Sequence, residues 1–183
     1  MLRGEVAGLR AREDSDVPIL HAELYNDVTT RVRADSRPWR PVPAASAESP
    51  YRVAGRDDSA TFSVVHLASG ELAGEALLWG IDVHNRSAHV GISLRPGFRG
   101  RGLATDTVRV LCGYGFAILG LQRLQIETLA DNAAMIAAAT RTGFVPEGSL
   151  RRSAWVNGRF ADEVILGMLA ADWHPAPPSP PGP

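Results

Sequence analysis

At 183 residues, with 45% hydrophobic and 21% charged residues, the chain has the composition of one globular domain able to bury a sizeable core. Its 19 basic residues nearly balance 20 acidic ones, so no strong overall field draws it to nucleic acid or an anionic membrane, and any anion site must be local. Every basic residue is arginine, which excludes a Walker-type phosphate loop and Schiff-base chemistry; the single Cys112 excludes internal disulfides and fits a reducing compartment.

EVAGLRARED, with apolar Val6 and Leu9, reads as a short first strand, and Asp14, Ser15 and Asp16 then supply helix-start chemistry. Val17, Leu20, Leu24 and Val28 recur at helical spacing, which predicts helices across roughly 15–33 with a break near Asn26. Residues 34–58 hold four prolines and little periodicity, a long loop of the kind that carries function. From Ala60 the texture turns to strand: TFSVVHLA, LAGEALLWGIDV and SAHVGISL, separated by turns at SGE and at Asn85-Arg86, form an antiparallel meander. Leu103, Ala104, Val108, Leu111, Cys112, Gly115 and Leu119 then mark a helix. RLQIETLA is a strand, DNAAMIAAATRT a helix stopped by Gly143, and FVPEGSLRRSAWVNGRFADEVILGML a strand pair turning at Asn157-Gly158. The domain is expected to span 1–172, with 173–183 a disordered proline-rich tail. No apolar run is long enough to span a membrane, and the start lacks a signal-peptide core, so the expected location is the cytoplasm.

Between the meander and the long helix lies RPGFRGRGLATDTV, Arg95 to Val108, with three glycines and three arginines. It is either a surface turn with solvated arginines or an anion cradle of backbone N–H groups at a helix N-terminus. Its glycines would let a ligand approach the backbone closely, and a pyrophosphate would suit the site. A Walker loop is ruled out because Leu103 and Ala104 follow Gly102. A Rossmann fingerprint is ruled out because the segment follows an antiparallel meander and Leu119 to Gln122 hold no carboxylate.

Arg99-Gly100-Arg101-Gly102-Leu103-Ala104 resembles the pyrophosphate loop [RQ]-x-x-G-x-[GA] of the GNAT superfamily of N-acetyltransferases. Asn132 to Gly148, NAAMIAAATRTGFVPEG, resembles its second motif, and order and spacing agree over roughly 60–170. The later RRSAWVNGRFADEVILGML resembles the branch of ribosomal-protein alanine acetyltransferases of RimJ/RimL type. The resemblance implies an α+β fold: a mixed, mostly antiparallel sheet of about seven strands, splayed between its fourth and fifth strands, with about four helices packed on it. It further implies acetyl-CoA as cosubstrate in the splay, with the backbone of Ile92, Ser93 and Leu94 pairing the pantetheine arm. The N–H groups of Gly100, Arg101, Gly102, Leu103, Ala104 and Thr105 would hold the pyrophosphate, with Arg99 or Arg101 adding charge. Asn132, also a natural N-cap, would hydrogen-bond the pantetheine, and Arg141 would approach the phosphates.

The resemblance implies transfer of acetyl to a primary amine, a protein N-terminus or a small molecule, by direct attack. Positioning, a base and a polarising donor supply the rate. His89 stands where the family often has an acid, and Ala139 where it often has a tyrosine. His89 is the leading base candidate, because imidazole titrates near neutrality, with Glu75, Tyr114 and Ser93 behind it. Trp39, Tyr51 and Trp155 are expected to line the acceptor groove. No Cys or His pair has metal-ligand spacing, so no metal is expected. Cys112 falls on the apolar helix face, and Arg95 and Arg123 read as solvated or paired surface charges. Dimers are common among similar proteins. A chain of this fold that binds acyl-CoA without catalysing transfer is the competing class, favoured by the missing tyrosine and altered acid.

Overall fold

The structure is a computed structural model that describes residues 1–35, 37–52 and 57–174. In chain order it runs β1 (Leu2–Arg3), β2 (Ala7–Ala11), α1 (Asp16–Leu20) continued by a π-helical turn at His21–Tyr25, α2 (Val28–Ala34), β3 (Ser59–His66), β4 (Leu72–Asp82) and β5 (Ser87–Leu94). Then come a 3-10 turn at Pro96–Phe98, α3 (Leu103–Gly113) ending in a second π-helical turn, β6 (Arg123–Leu129), α4 (Ala133–Arg141), β7 (Val145–Val156) and β8 (Arg159–Leu169). Among the described residues the strands form one eight-stranded sheet in the order β1-β2-β3-β4-β5-β6-β8-β7. The α+β fold predicted from the sequence is present, with one strand more than expected: Leu2–Arg3 adds a two-residue edge on β2. All neighbours are antiparallel except β5 and β6.

Alternation along the strands assigns the two faces. Leu78, Val90, Leu124, Ile126 and Leu166 point to one face, where Leu103, Val108, Leu111 and Cys112 of α3 and Ala139 and Phe144 of the α4 region complete the main core. The opposite face carries α1 and its π-helical extension over the β2–β4 half, with a second core of Val17, Leu20, Leu24, Tyr25, Tyr51 and Leu72. Gly74 is required where β4 meets β5, since a Cβ there would lie 2.2 Å from the Ser93 carbonyl oxygen. The last hairpin turns at Asn157 and Gly158, both at positive φ, as its Asn-Gly pair predicts. Trp173, expected in the tail, instead packs on Phe116 with ring centroids 5.7 Å apart; the rest of the predicted tail, 175–183, lies outside the described residues. No helix among the described residues is long and apolar enough to cross a membrane.

Buried carboxylates fasten the helices to the sheet. Asp106 of α3 accepts from the N–H groups of Val6 and Ala7, each at 2.8 Å. Asp16, only 3% exposed, accepts two bonds from Arg10, at 2.7 and 2.8 Å, and one from Ser63 of β3. Burial works to raise its pKa, but the hydrogen bonds from Arg10, the Glu13 amide and Ser63 outweigh it and hold the carboxyl at about 2. A depressed carboxyl pKa contributes stability above the unfolded value, and that contribution, ~2 kcal/mol here, disappears as pH falls from about 4 towards 2. Asp16→Asn is therefore expected to lower stability at pH 7 by at least this amount and to flatten the acid limb, as read by urea unfolding across pH.

Candidate active site

β5 and β6 run parallel but pair only at Ser87↔Arg123, Ala88↔Leu124 and His89↔Gln125. Beyond His89 the strands part, although β5 continues to Leu94 and β6 to Leu129. Ile92, Ser93 and Leu94 still pair with β4 on their other side. The cleft thus presents one unpaired edge of β5 backbone, the feature that an extended amide-bearing arm can complete by strand-like hydrogen bonds. From Leu94 to the vertex at His89 the edge runs about 17 Å at the usual rise per residue.

At the outer end of that edge lies the glycine-rich turn. Gly100 and Gly102 take φ of +73° and +81°, which L side chains rarely adopt, and among the described residues a Cβ on either would meet nothing within 4 Å. Their positive φ favours glycine, and among the described residues the space beside them is open. Gly102 caps α3 without any side-chain hydrogen bond, and the Gly102 carbonyl is first reached by the Asp106 N–H. The N–H groups of Leu103, Ala104 and Thr105 are therefore the orphan donors of the helix start. Arg141, in the last turn of α4, approaches from the side, its Nε 3.4 Å from Thr105 Oγ1. A guanidinium beside the positive end of a helix is unfavourable unless an anion sits between them. Donors, open space and charge all fit a pyrophosphate. The arginines of the turn do less: Arg99 Nε donates to the Leu94 carbonyl at 2.9 Å and Arg101 lies over the Phe98 ring. Arg95, expected as a solvated or paired surface charge, is paired with Glu23 and also donates to the Leu72 carbonyl.

Asn132 is the N-cap of α4: its Oδ1 accepts from Met135 N–H at 3.3 Å while its Nδ2 donates to Thr128 Oγ1 at 2.9 Å. Its side chain closes the β6–α4 turn, which forms the far lip of the cleft. Arg33 of α2 reaches the same turn through Asp131, at 2.6 Å.

His89, Ser93 and Glu75 all lie on the face opposite the main core, because their strand neighbours Val90, Ile92 and Ala76 pack into it. They do not form one cluster. Ser93 pairs with Glu75, while His89 pairs with Trp79 four residues away, about 13 Å along the strand. Glu75 is 8% exposed and bound to Arg12 at 3.0 Å, which leaves it a structural carboxylate rather than a free base. His89 stands at the vertex, its ring stacked on Trp79 with centroids 4.1 Å apart, and its Nδ1 is 3.4 Å from Glu127 Oε1.

Of the residues expected to line an acceptor groove, Tyr51 is corrected outright. It is fully buried in the second core, and burial raises its hydroxyl pKa above the ordinary value. Trp39 lines a recess of about 390 Å³ with Pro18, His21, Ala22, Asn26 and Pro41–Ala44, and its Nε1 donates to the Tyr25 carbonyl. Trp155 is exposed at the tip of the last hairpin, against Phe160. Cys112 is buried and its thiol is pushed up to about 12 by desolvation, so it is not a nucleophile. Among the described residues no group of three or more His, Cys, Asp or Glu is placed to hold a metal ion. Glu127 escaped the sequence reading. Alternation in RLQIETL puts it opposite Leu124 and Ile126, but its partner across the cleft depends on parallel register, which that alternation does not encode.

Residues 7–145 match the family model of the acetyltransferase (GNAT) domain. Over 108 residues, 59% of each chain, the protein is 35% identical to a putative ribosomal N-acetyltransferase, YdaF, of Bacillus subtilis, so the match spans about three-fifths of that relative's length. It is 29% identical over 168 residues to a spermidine N(1)-acetyltransferase of Vibrio cholerae, covering 90% of this chain and 94% of that one. The crystal structure of spermidine N-acetyltransferase from Vibrio cholerae in complex with CoA and spermine superposes with a TM-score of 0.80 at 25% identity, covering 92% of this chain and 98% of that one.

Proposed function

The chain belongs to the GNAT acetyltransferase family, and on that premise we propose that it transfers the acetyl group of acetyl-CoA to a primary amine by direct attack. The observation that carries this reading is the continuous track from the orphan N–H groups of Leu103 to Thr105, along the unpaired β5 edge, to the vertex at His89. That track matches a molecule with a pyrophosphate, an amide-bearing arm and a reactive end, in that order. The main-core face is filled by α3 and α4, so the acceptor approaches the vertex from the face that bears His89. In this reading His89 takes a proton from the bound ammonium and the backbone of β5 holds the arm, while Asn132 shapes the far lip.

The relatives supply two acceptor chemistries. The match to the putative ribosomal enzyme supports a protein N-terminus, as the RimJ/RimL resemblance implies, and the longer match to the spermidine enzymes supports a small polyamine. Both are primary amines, and a homo-oligomer is part of the reading, for which the exposed Trp155, Phe160 and Leu150 offer apolar surface. Free-thiol release from acetyl-CoA, measured with spermidine and with N-terminal peptides as acceptors, is expected to show saturable turnover with one class. Saturable CoA binding without turnover on any acceptor would instead identify an acyl-CoA-binding protein, the reading that the fully buried Ala139 at the family's tyrosine position favours.

A further inference from the structure

We infer that Glu127 is a positioning residue for His89: its carboxylate fixes the ring so that Nδ1 carries the hydrogen and Nε2 is the free base. The inference rests on the acetyl-transfer reading and deepens it. Three contacts constrain the imidazole. Trp79 stacks on its plane at an interplanar angle of 19°. Gly80 leaves it room, since a Cβ there would come 3.3 Å from Cδ2. On the third side, Nδ1 is shut off from solvent and makes no conventional hydrogen bond within the described residues, and Glu127 Oε1 faces it at 3.4 Å. That distance is long for a hydrogen bond in the free protein, and catalytic contacts of this kind shorten when substrate is bound.

A buried imidazole nitrogen aimed at a carboxylate donates to it, and in a neutral ring the other nitrogen must then be the acceptor. Glu127 is itself held, by Gln125 Nε2 donating to the same oxygen at 2.6 Å. Gln125 belongs to the last rung where β5 and β6 still pair, so the carboxylate is fixed by the rung that closes the cleft. The remaining exposure of the ring lies away from Nδ1, on the open face of the sheet.

His89 Nε2 accepts one proton from the acceptor ammonium, and the Glu127 carboxylate stabilises the resulting imidazolium without taking its proton. The freed amine lone pair forms the N–C bond to the thioester carbonyl carbon, the C–S bond breaks, and the departing sulfur takes the second amine proton as the amide forms. The imidazolium returns its proton to solvent.

The test is made on the full chain with Glu127→Leu, Glu127→Asp and His89→Gln. Glu127→Leu is expected to lower kcat by about ten- to hundredfold, with both KM values held within about twofold. Glu127→Asp should recover part of the loss, and adding Glu127→Leu to His89→Gln should cost nothing further. ¹⁵N spectra of the ring, which need no turnover, are expected to show the Nδ1–H tautomer in the native protein and its loss in Glu127→Leu. A native Nε2–H tautomer would overturn the inference. So would a Glu127→Leu enzyme at full kcat while His89→Gln is inactive, an outcome that leaves the acetyl-transfer reading intact. If no amine is acetylated, that reading fails by itself and the spectra still decide the placement of the proton.

Discussion

Gly102→Asp is expected to weaken CoA binding by a hundredfold or more while leaving the fold in place. Gly102 caps α3 at φ +81°, and among the described residues no atom lies within 4 Å of where a Cβ would sit. A carboxylate there would occupy the space next to the orphan N–H groups of Leu103, Ala104 and Thr105 and would compete with the pyrophosphate for them. Like charges about 4 Å apart repel by about 4 kcal/mol at the effective dielectric of a protein surface, which alone corresponds to roughly a thousandfold. Stability should change far less, because Asp tolerates the left-handed region better than most residues and is a favourable helix cap. Calorimetric titration with CoA, paired with thermal unfolding, separates the two effects. Gly97→Asp is the matched control: Gly97 has equal space but lies in the turn before the cradle and has no positive φ, so its affinity should stay within about threefold of native. Native-like affinity in Gly102→Asp would remove the cradle from the site.

The candidate site was legible in the sequence where its geometry constrains the backbone. Gly100 and Gly102 announce themselves because few residues accept their φ at so little cost, and the second motif at Asn132 is what points their turn to a pyrophosphate. In the meander β5 was legible because one face is buried, which imposes a period of two; β3 and β4, covered in part on both faces, were legible as apolar and β-branched runs bounded by turns. What the residues did not disclose is relative placement. Tyr51 in a proline-rich loop can equally line a groove or plug a core; it does the latter because the loop folds back onto His21 and Tyr25, a long-range outcome no local pattern records. Trp173 looked like the start of a tail but closes the main core against Phe116. The pairing of His89 with Glu127 likewise depends on where two strands, joined through α3, come to rest.

Arg12→Met is expected to be among the most damaging single changes, costing about 3–5 kcal/mol and lowering Tm by roughly 6–20 °C. The Arg12 side chain is 1% exposed; its guanidinium donates to the carbonyls of Tyr51 and Phe62, each at 3.1 Å, and to Glu75 at 3.0 Å. It also lies 5.7 Å from the Tyr51 ring centroid. It thereby joins the end of β2, the loop that carries Tyr51 and the middle of the meander. Methionine preserves much of the volume but leaves a buried carboxylate without its counter-charge and two carbonyls without a donor. If the stranded carboxylate is the larger part of the cost, Arg12→Met with Glu75→Leu should be more stable than Arg12→Met alone, though short of native because the carbonyls stay unpaired. Equal stability of the single and double variants in urea unfolding would show that the ion pair contributes little. The double variant also judges Glu75 as a catalytic candidate, since it lacks that carboxylate in a refolded background. Near-native kcat there, beside a large loss in His89→Gln, would confine proton removal to the vertex of the cleft; loss of turnover in a well-folded double variant would return Glu75 to the chemistry.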